Sequence, residues 1–373
     1  MTIKPFKLER FLGVHEFSTK YLLSSSDCES LSIGELLAFE SDAAEKFHRH
    51  WLGYTEPMGD PELRTTIASI FSSINAEDVL VCSGAEEPIY LFIQTMLKAG
   101  DRVIVQSPCY QSVQSIPESL GCEVSLWQVH YVDGKPIFDL GELEQLMALQ
   151  PKVLFLNTPH NPTGYHFTKE EQQAIISLAR KYGTIILCDE VYRELEHDPA
   201  VQIPAIADVY EHGVSIGVLS KAYGLPGLRI GWLISKRKDI LEEAASLRDY
   251  TTICNSAPSE FLATLTLRNR KKVLDRNLGI VNKNLDLLDI FFEKYEDLFT
   301  WYRPNAGPVS FVRMKFDQPD LAFAEEVVQK QQVLLLPGYV FDYPRFFRVG
   351  FGRKNMSQSL EQFELFVNQR WGR

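Results

Sequence analysis

Two hydrophobic patterns alternate between residues 79 and 219. Short, apolar and often β-branched runs that end in Gly, Pro, Ser or Asp predict buried strands of a mostly parallel sheet. Segments with apolar residues at helical spacing lie between these runs; one starts near Gly84, and Thr168 caps another that runs to about Tyr182. The alternation predicts an α/β domain whose ligand lies at the carboxyl ends of the strands. The predicted strands cover residues 79–82, 102–106, 123–129, 153–157, 184–188 and 214–219.

The pattern changes after about residue 268. A long amphipathic stretch over 273–295 is followed by three shorter apolar runs and a last helix near 360–371, which predicts a smaller α+β domain. The three apolar runs cover residues 309–316, 333–336 and 346–351. The predicted parts of the chain are an amino-terminal segment over 1–50 that joins the small domain and the mouth of the substrate site, a large domain over 51–268 and a small domain over 269–373.

Composition and charge exclude several classes of protein. The chain has 373 residues, of which 45% are hydrophobic, so it can bury a sizeable core. A formal charge of −11 argues against a nucleic-acid-binding protein, whose affinity depends on neutralising phosphates. No apolar run approaches the roughly 20 residues of a membrane span, and residues 1–10 lack the apolar stretch of a signal peptide. Six cysteines without a C-x-x-C pair indicate a reduced, cytoplasmic protein with neither a metal centre nor a disulfide framework.

The segment over residues 220–232 carries the strongest chemical signal. Lys221 directly follows an apolar strand, where a lysine is unfavourable unless it is on the surface or has a partner. It could form a Schiff base with a carbonyl cofactor, or it could be an ordinary surface lysine after a turn; this segment alone leaves both open. Arg229 follows among Gly and Pro residues, and its guanidinium can hold a phosphate by two hydrogen bonds, with Ser220 adding a hydroxyl.

Further motifs follow the other predicted strands. Residues 157–164 read Asn-Thr-Pro-His-Asn-Pro-Thr-Gly, residues 188–192 read Cys-Asp-Glu-Val-Tyr, and residues 83–86 read Ser-Gly-Ala-Glu before a helix. In this order and spacing, over about residues 51–351, the motifs resemble the fold-type I pyridoxal-phosphate (PLP) enzymes of the class I/II aminotransferase family. The resemblance implies a large domain with a mostly parallel sheet flanked by helices, a smaller α+β domain, and PLP as the cofactor.

The resemblance also implies the catalytic roles. Lys221 would hold the cofactor as a Schiff base and, once released by substrate, would move the proton at Cα. Asp189 would pair with the pyridinium nitrogen and keep it protonated, so that the ring acts as an electron sink; a helix cap after a strand is the alternative for this residue. Tyr192 and Asn161 would donate hydrogen bonds to the phenolic oxygen of the cofactor.

Other residues are implied to bind cofactor or substrate. Tyr110 would stack on the pyridine face, and Gly84 and Ala85 would offer backbone N–H groups to the phosphate at a helix amino terminus. Tyr54 would reach the phosphate of the neighbouring subunit, which implies a homodimer; a turn tyrosine is the alternative. Arg348 would clamp the substrate α-carboxylate, with Asn161 beside it, whereas the nearby Arg345 and Arg353 are expected to be exposed.

Two functions fit these roles. The first is an aminotransferase that converts an α-amino acid to a 2-oxo acid. The second follows from residues 221–229 and 247–250, which also resemble capreomycidine synthase and related enzymes that eliminate a hydroxyl from a hydroxyarginine and close a ring. Such an enzyme needs an acidic pocket, which the serine-rich and acidic residues 16–29, beginning at Glu16, could provide; a solvated face is the alternative. A DNA-binding regulator is disfavoured because too little chain precedes residue 50.

Overall fold

The computed structural model describes residues 2–373, and its strands form three sheets. Numbered in chain order, the strands are β1 (Tyr21–Leu22), β2 (Val79–Cys82), β3 (Arg102–Ser107), β4 (Glu123–Val132), β5 (Lys135–Phe138), β6 (Val153–Asn157), β7 (Ile185–Asp189), β8 (Gly213–Val218), β9 (Gly231–Ser235), β10 (Phe299–Thr300), β11 (Val309–Met314), β12 (Val333–Leu334), β13 (Leu336–Pro337) and β14 (Phe346–Gly350).

Helices surround these sheets. In chain order they are α1 (Lys7–His15), α2 (Ile33–Leu37), α3 (Ala43–His48), α4 (Pro61–Ala68), α5 (Glu86–Met96), α6 (Ser112–Leu120), α7 (Leu140–Met147), α8 (Lys169–Tyr182), α9 (Ile206–Val209), α10 (Lys238–Arg248), α11 (Ala257–Arg268), α12 (Arg270–Lys294), α13 (Asp320–Gln331) and α14 (Met356–Trp371). Short 3₁₀ turns cover Ala76–Asp78, Pro199–Val201, Pro226–Leu228 and Gly338–Phe341.

The largest sheet has eight strands in the order β2-β9-β8-β7-β6-β3-β4-β5. Strands β4, β3, β6, β7 and β8 are mutually parallel, whereas β9 runs antiparallel to both β8 and β2, and β5 runs antiparallel to β4. The predicted α/β fold with a mostly parallel sheet is confirmed. The sequence reasoning missed β9, because its first two residues, Gly231 and Trp232, lie within the glycine-rich segment that we assigned to cofactor chemistry.

Helices cover both faces of this sheet. On one face, Ile89 and Phe92 of α5 join the larger apolar core, which continues into the carboxyl-terminal part of the chain. On the other face, Leu143 of α7 and Ile175 of α8 pack with Trp127 in a second core. Because both faces are covered, the central strands are apolar throughout, as the sequence pattern indicated.

Local signals account for the best-predicted helix. The side chain of Thr168 accepts a hydrogen bond from the Glu171 backbone N–H, and the Glu171 side chain accepts one from the Thr168 backbone, which completes a capping box. The helix ends at Gly183 in the left-handed conformation with φ of 69°. The predicted cap and end of α8 are therefore confirmed.

The carboxyl-terminal part contains a four-stranded antiparallel sheet in the order β10-β11-β14-β13, against which α12, α13 and α14 pack. Phe299, Phe347 and Phe363 form its aromatic centre, with ring centroids 5.6–6.0 Å apart. Two expectations are corrected: α14 begins at Met356 rather than near residue 360, and the run over 333–336 is split between two short strands in different sheets.

The amino-terminal segment pairs with this carboxyl-terminal part. Strand β1 lies parallel to β12, with Tyr21 opposite Val333 and Leu22 opposite Leu334. The predicted domain boundaries near residues 50 and 268 stay a prediction. Within residues 2–373, no helix combines the length and the apolar character needed to cross a membrane, and the six cysteines of this part are free.

We predict that Gly217→Ala destabilises the large sheet. A Cβ atom at Gly217 would lie 2.2 Å from Nε1 of Trp232, whose ring is buried and cannot move aside. Overpacking of this kind lowers the free energy of unfolding by about 1–3 kcal/mol, which denaturant melts would measure. Gly279→Ala is the matched control because its Cβ meets no atom within 4 Å; an equal loss of stability in both variants would contradict this account.

Candidate active site

A cavity of about 570 Å³ opens where β6, β7 and β8 end. Because these strands are parallel, their carboxyl ends share one edge, and the register places Asn157 beside Asp189. Residues of the amino-terminal segment and of β14 complete the walls. Ten residues singled out in the sequence line the cavity: Glu16, Ala85, Tyr110, Asn161, Asp189, Tyr192, Ser220, Lys221, Arg229 and Arg348.

Lys221 lies at the floor of this cavity, shortly after the end of β8. Its Nζ donates a hydrogen bond of 2.9 Å to Oγ of Ser26. Burial lowers the pKa of Lys221, and nearby Asp27 partly opposes this effect. A lysine with a lowered pKa has a larger neutral fraction near pH 7, so its nitrogen can act as a nucleophile or accept a proton.

Asp189 is the last residue of β7. Its Oδ1 accepts a hydrogen bond of 3.1 Å from the Val191 backbone N–H. Burial raises the pKa of Asp189 to about 6, with this hydrogen bond and Lys221 acting in the opposite direction. A partly buried carboxylate with a raised pKa favours a cationic partner, since an opposite charge restores its ionised form.

Arg348, in the middle of β14, is only 2% exposed. Its Nη1 donates to Oδ1 of Asn161 at 2.9 Å, and its Nη2 donates to the carbonyl oxygen of Ser24 at 2.8 Å. Its Nε is buried and has no hydrogen-bond partner among residues 2–373. A buried guanidinium with an unpaired donor fits a site for an anion, and carboxylates accept such donors well.

Asn157 links Asp189 to the turn that contains Asn161. Its Nδ2 donates to the Asp189 carbonyl oxygen at 2.8 Å, and its Oδ1 accepts from the Asn161 backbone N–H at 2.6 Å. One side chain therefore ties the end of β7 to the turn that contacts Arg348. Sequence reasoning missed this role, although a polar residue at the end of a buried strand was a usable signal.

A second anion site lies at the amino terminus of α5. Gly84 has φ of +76°, and a Cβ built there would lie 2.4 Å from Nη2 of Arg229, so only glycine lets the guanidinium approach this turn so closely. Ala85 caps the helix, whose first N–H groups favour an anion. Ser220 is buried, and within the described chain its Oγ has no hydrogen-bond partner. The donors fit a phosphate.

Two tyrosines contribute hydroxyl groups and aromatic surface. Tyr192 is 1% exposed, and burial raises its pKa. The hydroxyl of Tyr110 donates to Oε1 of Glu9 at 3.0 Å, and its ring packs against Phe6 with centroids 4.9 Å apart. Burial is also the main cause of the raised pKa of Tyr110, so both phenols remain protonated at neutral pH.

Two residues predicted to bind the cofactor, Gly84 and Tyr54, do not line the cavity, although Gly84 lies directly beside Arg229, which does. Tyr54 is 89% exposed and lies near residues 254–258, with which it lines a surface groove; Trp51 and Tyr250 are exposed as well. Within the single chain, Tyr54 does not line the cavity. Its implied role, which needs a neighbouring subunit, stays a prediction.

The expectation that Arg353 is exposed is wrong. Arg353 is half-buried, lines the cavity and forms an ion pair with Asp27 through Nη2 at 2.7 Å. The cause is tertiary: the Glu29 backbone N–H donates to the Gly352 carbonyl oxygen and so brings the amino-terminal segment against this arginine. Arg345, in contrast, is exposed as expected.

The sequence analysis also missed the structural role of Arg248, a buried arginine near the turn before α5. Arg248 is 1% exposed and donates to the carbonyl oxygen of Pro57 at 2.6 Å and to Oδ1 of Asn255 at 2.7 Å. The carboxylate of Glu87, 3.7 Å from Arg248 Nε, accepts the backbone N–H of Ser83 at 2.6 Å. The network braces the turn before α5 from the side opposite the cavity.

Comparison with known proteins identifies the family. The model for "Aminotransferase class I and II" matches residues 20–361 of the chain. The chain belongs to this family. The match spans all the motifs on which the sequence-based resemblance rested, and that resemblance is confirmed.

Individual relatives cover nearly the whole chain. A PLP-dependent aminotransferase structure from Streptococcus suis superposes with a TM-score of 0.93 at 32% identity and covers 99% of both chains. The PLP-dependent cyclase OrfR superposes with a TM-score of 0.90 at 27% identity, covering 99% of this chain and 98% of that one. Capreomycidine synthase from Streptomyces vinaceus is 26% identical over 92% of this chain and 88% of its own length.

The cofactor of this family member is PLP, and the cavity fits it. The unpaired Oγ of Ser220 and the guanidinium over Gly84 suit its phosphate. The carboxylate of Asp189 suits a protonated ring nitrogen, because a cation there would reverse the effect of burial on its pKa. Lys221 is the lysine that lines the cavity. The chain is therefore a PLP-dependent enzyme.

Glu190 lies next to Asp189 but outside the cavity, and its titration allows a test of how the stability of the protein depends on pH. Burial raises the pKa of Glu190 to about 7, whereas an unfolded glutamate titrates near about 4.3. The folded state therefore binds the proton more tightly, so this group's stabilisation is complete at low pH and is lost as the pH rises from about 4 to about 7. The slope reaches at most about 1.4 kcal/mol per pH unit.

Glu190→Gln should flatten this part of the pH profile in urea melts from pH 5 to 8. The amide oxygen can still accept the Ile206 backbone N–H, which Glu190 binds at 2.7 Å. Glu211→Gln is the control: Arg180 lowers the pKa of Glu211 to about 2, so its contribution disappears only in acid. A variant profile with the wild-type slope would show that Glu190 titrates normally.

Proposed function

We propose that this enzyme transfers the amino group of an α-amino acid to a 2-oxo acid. The observation that carries the proposal is the convergence of Lys221, Asp189 and Arg348 on one cavity. A lysine with a lowered pKa, a partly buried carboxylate and a buried arginine with an unpaired donor are what a PLP-dependent reaction at Cα requires.

PLP, when bound, supplies a ring that withdraws electrons from the bonds at the amino acid Cα. Lys221 would hold the cofactor through Nζ and, once released, would take the proton from Cα and deliver it to the aldehyde-derived carbon of the cofactor. Its lowered pKa supports this role because a neutral amine is needed to accept a proton. Ser26, 2.9 Å from Nζ, can orient the amine.

The other residues hold the reacting groups in place. Asp189 would keep the ring nitrogen protonated, and Tyr192 and Asn161 would donate hydrogen bonds to the phenolic oxygen. Arg229 and Ser220 would bind the phosphate together with the N–H groups of residues 84 and 85. Tyr110 would pack on the ring face, and the anchoring of its hydroxyl at Glu9 supports a fixed position.

Arg348 would bind the substrate α-carboxylate. Two of its nitrogens are already held by Asn161 and Ser24, so the guanidinium is fixed before substrate arrives. A preorganised guanidinium loses little freedom on binding, which favours the oriented attack of the reacting groups. Asn161 lies between this carboxylate site and the predicted cofactor site, so it can contact both ligands.

A homodimer is part of the proposal. Tyr54, Trp51 and Tyr250 each expose a large aromatic side chain, and exposed apolar side chains of this size often mark a protein–protein contact. A symmetric contact that includes Tyr54 would cover its ring and bring it to the phosphate site of the partner subunit. The six free cysteines support a reducing compartment, the cytoplasm.

A cyclising dehydratase is the second candidate. It is supported by the likeness to capreomycidine synthase and to the cyclase OrfR, each above 25% identity. It is further supported by the acidic residues Glu9 and Glu16 in the cavity wall. This enzyme would expel the hydroxyl of a hydroxylated basic amino acid as water and close a ring with the terminal nitrogen. The binding residues of the first proposal serve both outcomes.

A single turnover without a 2-oxo acid acceptor distinguishes the two functions. Purified enzyme is mixed with each amino acid of a panel that includes arginine and hydroxyarginine, and products are identified by mass spectrometry. Loss of the visible absorbance band together with one equivalent of 2-oxo acid is the expected result and establishes transamination. A persistent band with a product lighter by one water establishes the cyclising reaction instead.

Lys221→Ala tests the assignment of the central residue. We expect the variant to lose both turnover and the absorbance band of the lysine-bound cofactor, because its methyl group can neither hold PLP nor move a proton. Lys271→Ala is the control, since Lys271 is exposed on α12 and pairs only with Asp275 along the helix. An unchanged visible spectrum in Lys221→Ala would refute the assignment.

Mixing two inactive variants tests the role of Tyr54. If Tyr54 completes the partner's site, dimers formed from one Tyr54→Ala chain and one Lys221→Ala chain contain one intact site. Random reassociation after mild denaturation should then restore about a quarter of wild-type activity, since half of the dimers are mixed and each has one such site. No recovery, with mixed dimers verified by differential tags, would place Tyr54 outside the partner's site.

A further inference from the structure

Helix α1 lies over the mouth of the cavity and is fixed at both sides. The backbone N–H of Lys7 donates to Oε1 of Gln111 at 2.9 Å, next to α6 of the large sheet. The side chain of Lys7 forms an ion pair with Asp342, which precedes β14. Leu8 and Phe11 are buried beneath the helix. The face that α1 presents to the cavity is therefore held in place.

On the face of α1 that lines the cavity, one apolar residue lies between two carboxylates. Glu9, Leu12 and Glu16 are three and four residues apart, which places them on one side of the helix, and all three line the cavity. Ile89 of α5 adds another apolar side chain to the lining. This part of the wall thus combines hydrocarbon surface with negative charge.

The carboxylates on this face have no cationic partner in the structure. Of the four cationic side chains that line the cavity, Arg353 is paired with Asp27, and Lys221, Arg229 and Arg348 have the roles given above. Within residues 2–373, neither Glu9 nor Glu16 forms an ion pair with any of them. Burial is the main cause of the raised pKa of Glu16; Asp27 and Glu9 add to this effect, and Lys221 and Arg353 partly oppose it.

Arg348 provides an independent observation that points to an anionic ligand in this cavity. Arg348 is 2% exposed, lines the same cavity and has an unpaired Nε, so it is ready for an anion. An amino acid held by its α-carboxylate at Arg348 keeps its side chain within the cavity that α1 covers. Dicarboxylic amino acids would meet like charges at Glu9 and Glu16, which is unfavourable.

We infer that Glu9 and Glu16 bind the cationic end of the substrate side chain, while Leu12 and Ile89 contact its aliphatic stem. The substrates are then basic amino acids, with a guanidinium or ammonium group at the end of three or four carbons. The inference rests on the proposed function, because that function assigns the α-carboxylate to Arg348. It holds for transamination and for cyclisation alike, since both begin with binding of the same amino acid.

Unreactive probes test the inference by binding alone. 5-Guanidinopentanoate and 6-aminohexanoate keep the carboxylate and the cation of arginine and lysine but lack the α-amino group. 5-Ureidopentanoate and hexanoate are their neutral counterparts. By calorimetry on the PLP-loaded enzyme, the cationic probes should bind about tenfold or more tightly than the neutral ones, as expected for hydrogen bonds to charged groups. The stronger of the two cationic probes identifies the preferred end group.

Charge-neutral variants provide the matched comparison. Glu9→Gln with Glu16→Gln should reduce the preference for the cationic probes to within about threefold, because glutamine keeps the shape and loses the charge. Glu170→Gln with Glu361→Gln removes the same charge from exposed positions and should leave the preference unchanged. Neutral probes that bind wild-type enzyme as tightly as cationic ones, or a preference that survives in the first variant, would overturn the inference.

The amino acid panel distinguishes failure of the inferred cation site from failure of the proposed function. If citrulline and norleucine react as efficiently as arginine and lysine, the enzyme acts on amino acids but α1 does not select a cation. If no amino acid changes the visible band or yields a product, the proposed function itself is wrong.

Discussion

The side-chain amide of Asn157 holds together the two ends of the active site. Because β6 and β7 are parallel and in register, Asn157 lies beside Asp189 and can bind its carbonyl oxygen. The same amide binds the backbone of Asn161, whose side chain accepts a hydrogen bond from Arg348. The position of the predicted cofactor site relative to the predicted carboxylate site therefore depends on strand register, which the buried sheet makes rigid.

The cavity wall carries both positive and negative groups. At one side, Arg229 and the amino terminus of α5 form a positive site suited to phosphate; in the middle, the carboxyl of Asp189 has a raised pKa that suits a ring cation. Farther out, Arg348 is positive and the cavity face of α1 is negative. A ligand that offers anions to Arg229 and Arg348 and cations to Asp189 and to the cavity face of α1 would pair each of these groups, which lowers the free-energy cost of their burial.

The amino-terminal segment is a structural part of the site. The backbone of Leu23 pairs with Leu334 and with Gly350, and the Cys28 N–H donates to the carbonyl oxygen of Lys221. Ser24 and Ser26 then contact Arg348 and Lys221 directly. Backbone hydrogen bonds to neighbouring elements thereby order this segment, which also contributes α1 to the wall of the cavity.

The sequence by itself determined those features of the fold and the site that depend on residues close together in the chain. It located the buried strands, the cap of α8 and the polar residues that follow strand ends, such as Lys221 and Asp189, because alternation and local motifs extend over only a few residues. Tertiary structure alone decided the direction of β9, the inward position of Arg353 and the location of Glu9 in the wall of the same cavity as Arg348. Those features join residues far apart in the chain, and their contacts depend on how distant backbone segments pair, which local pattern does not encode.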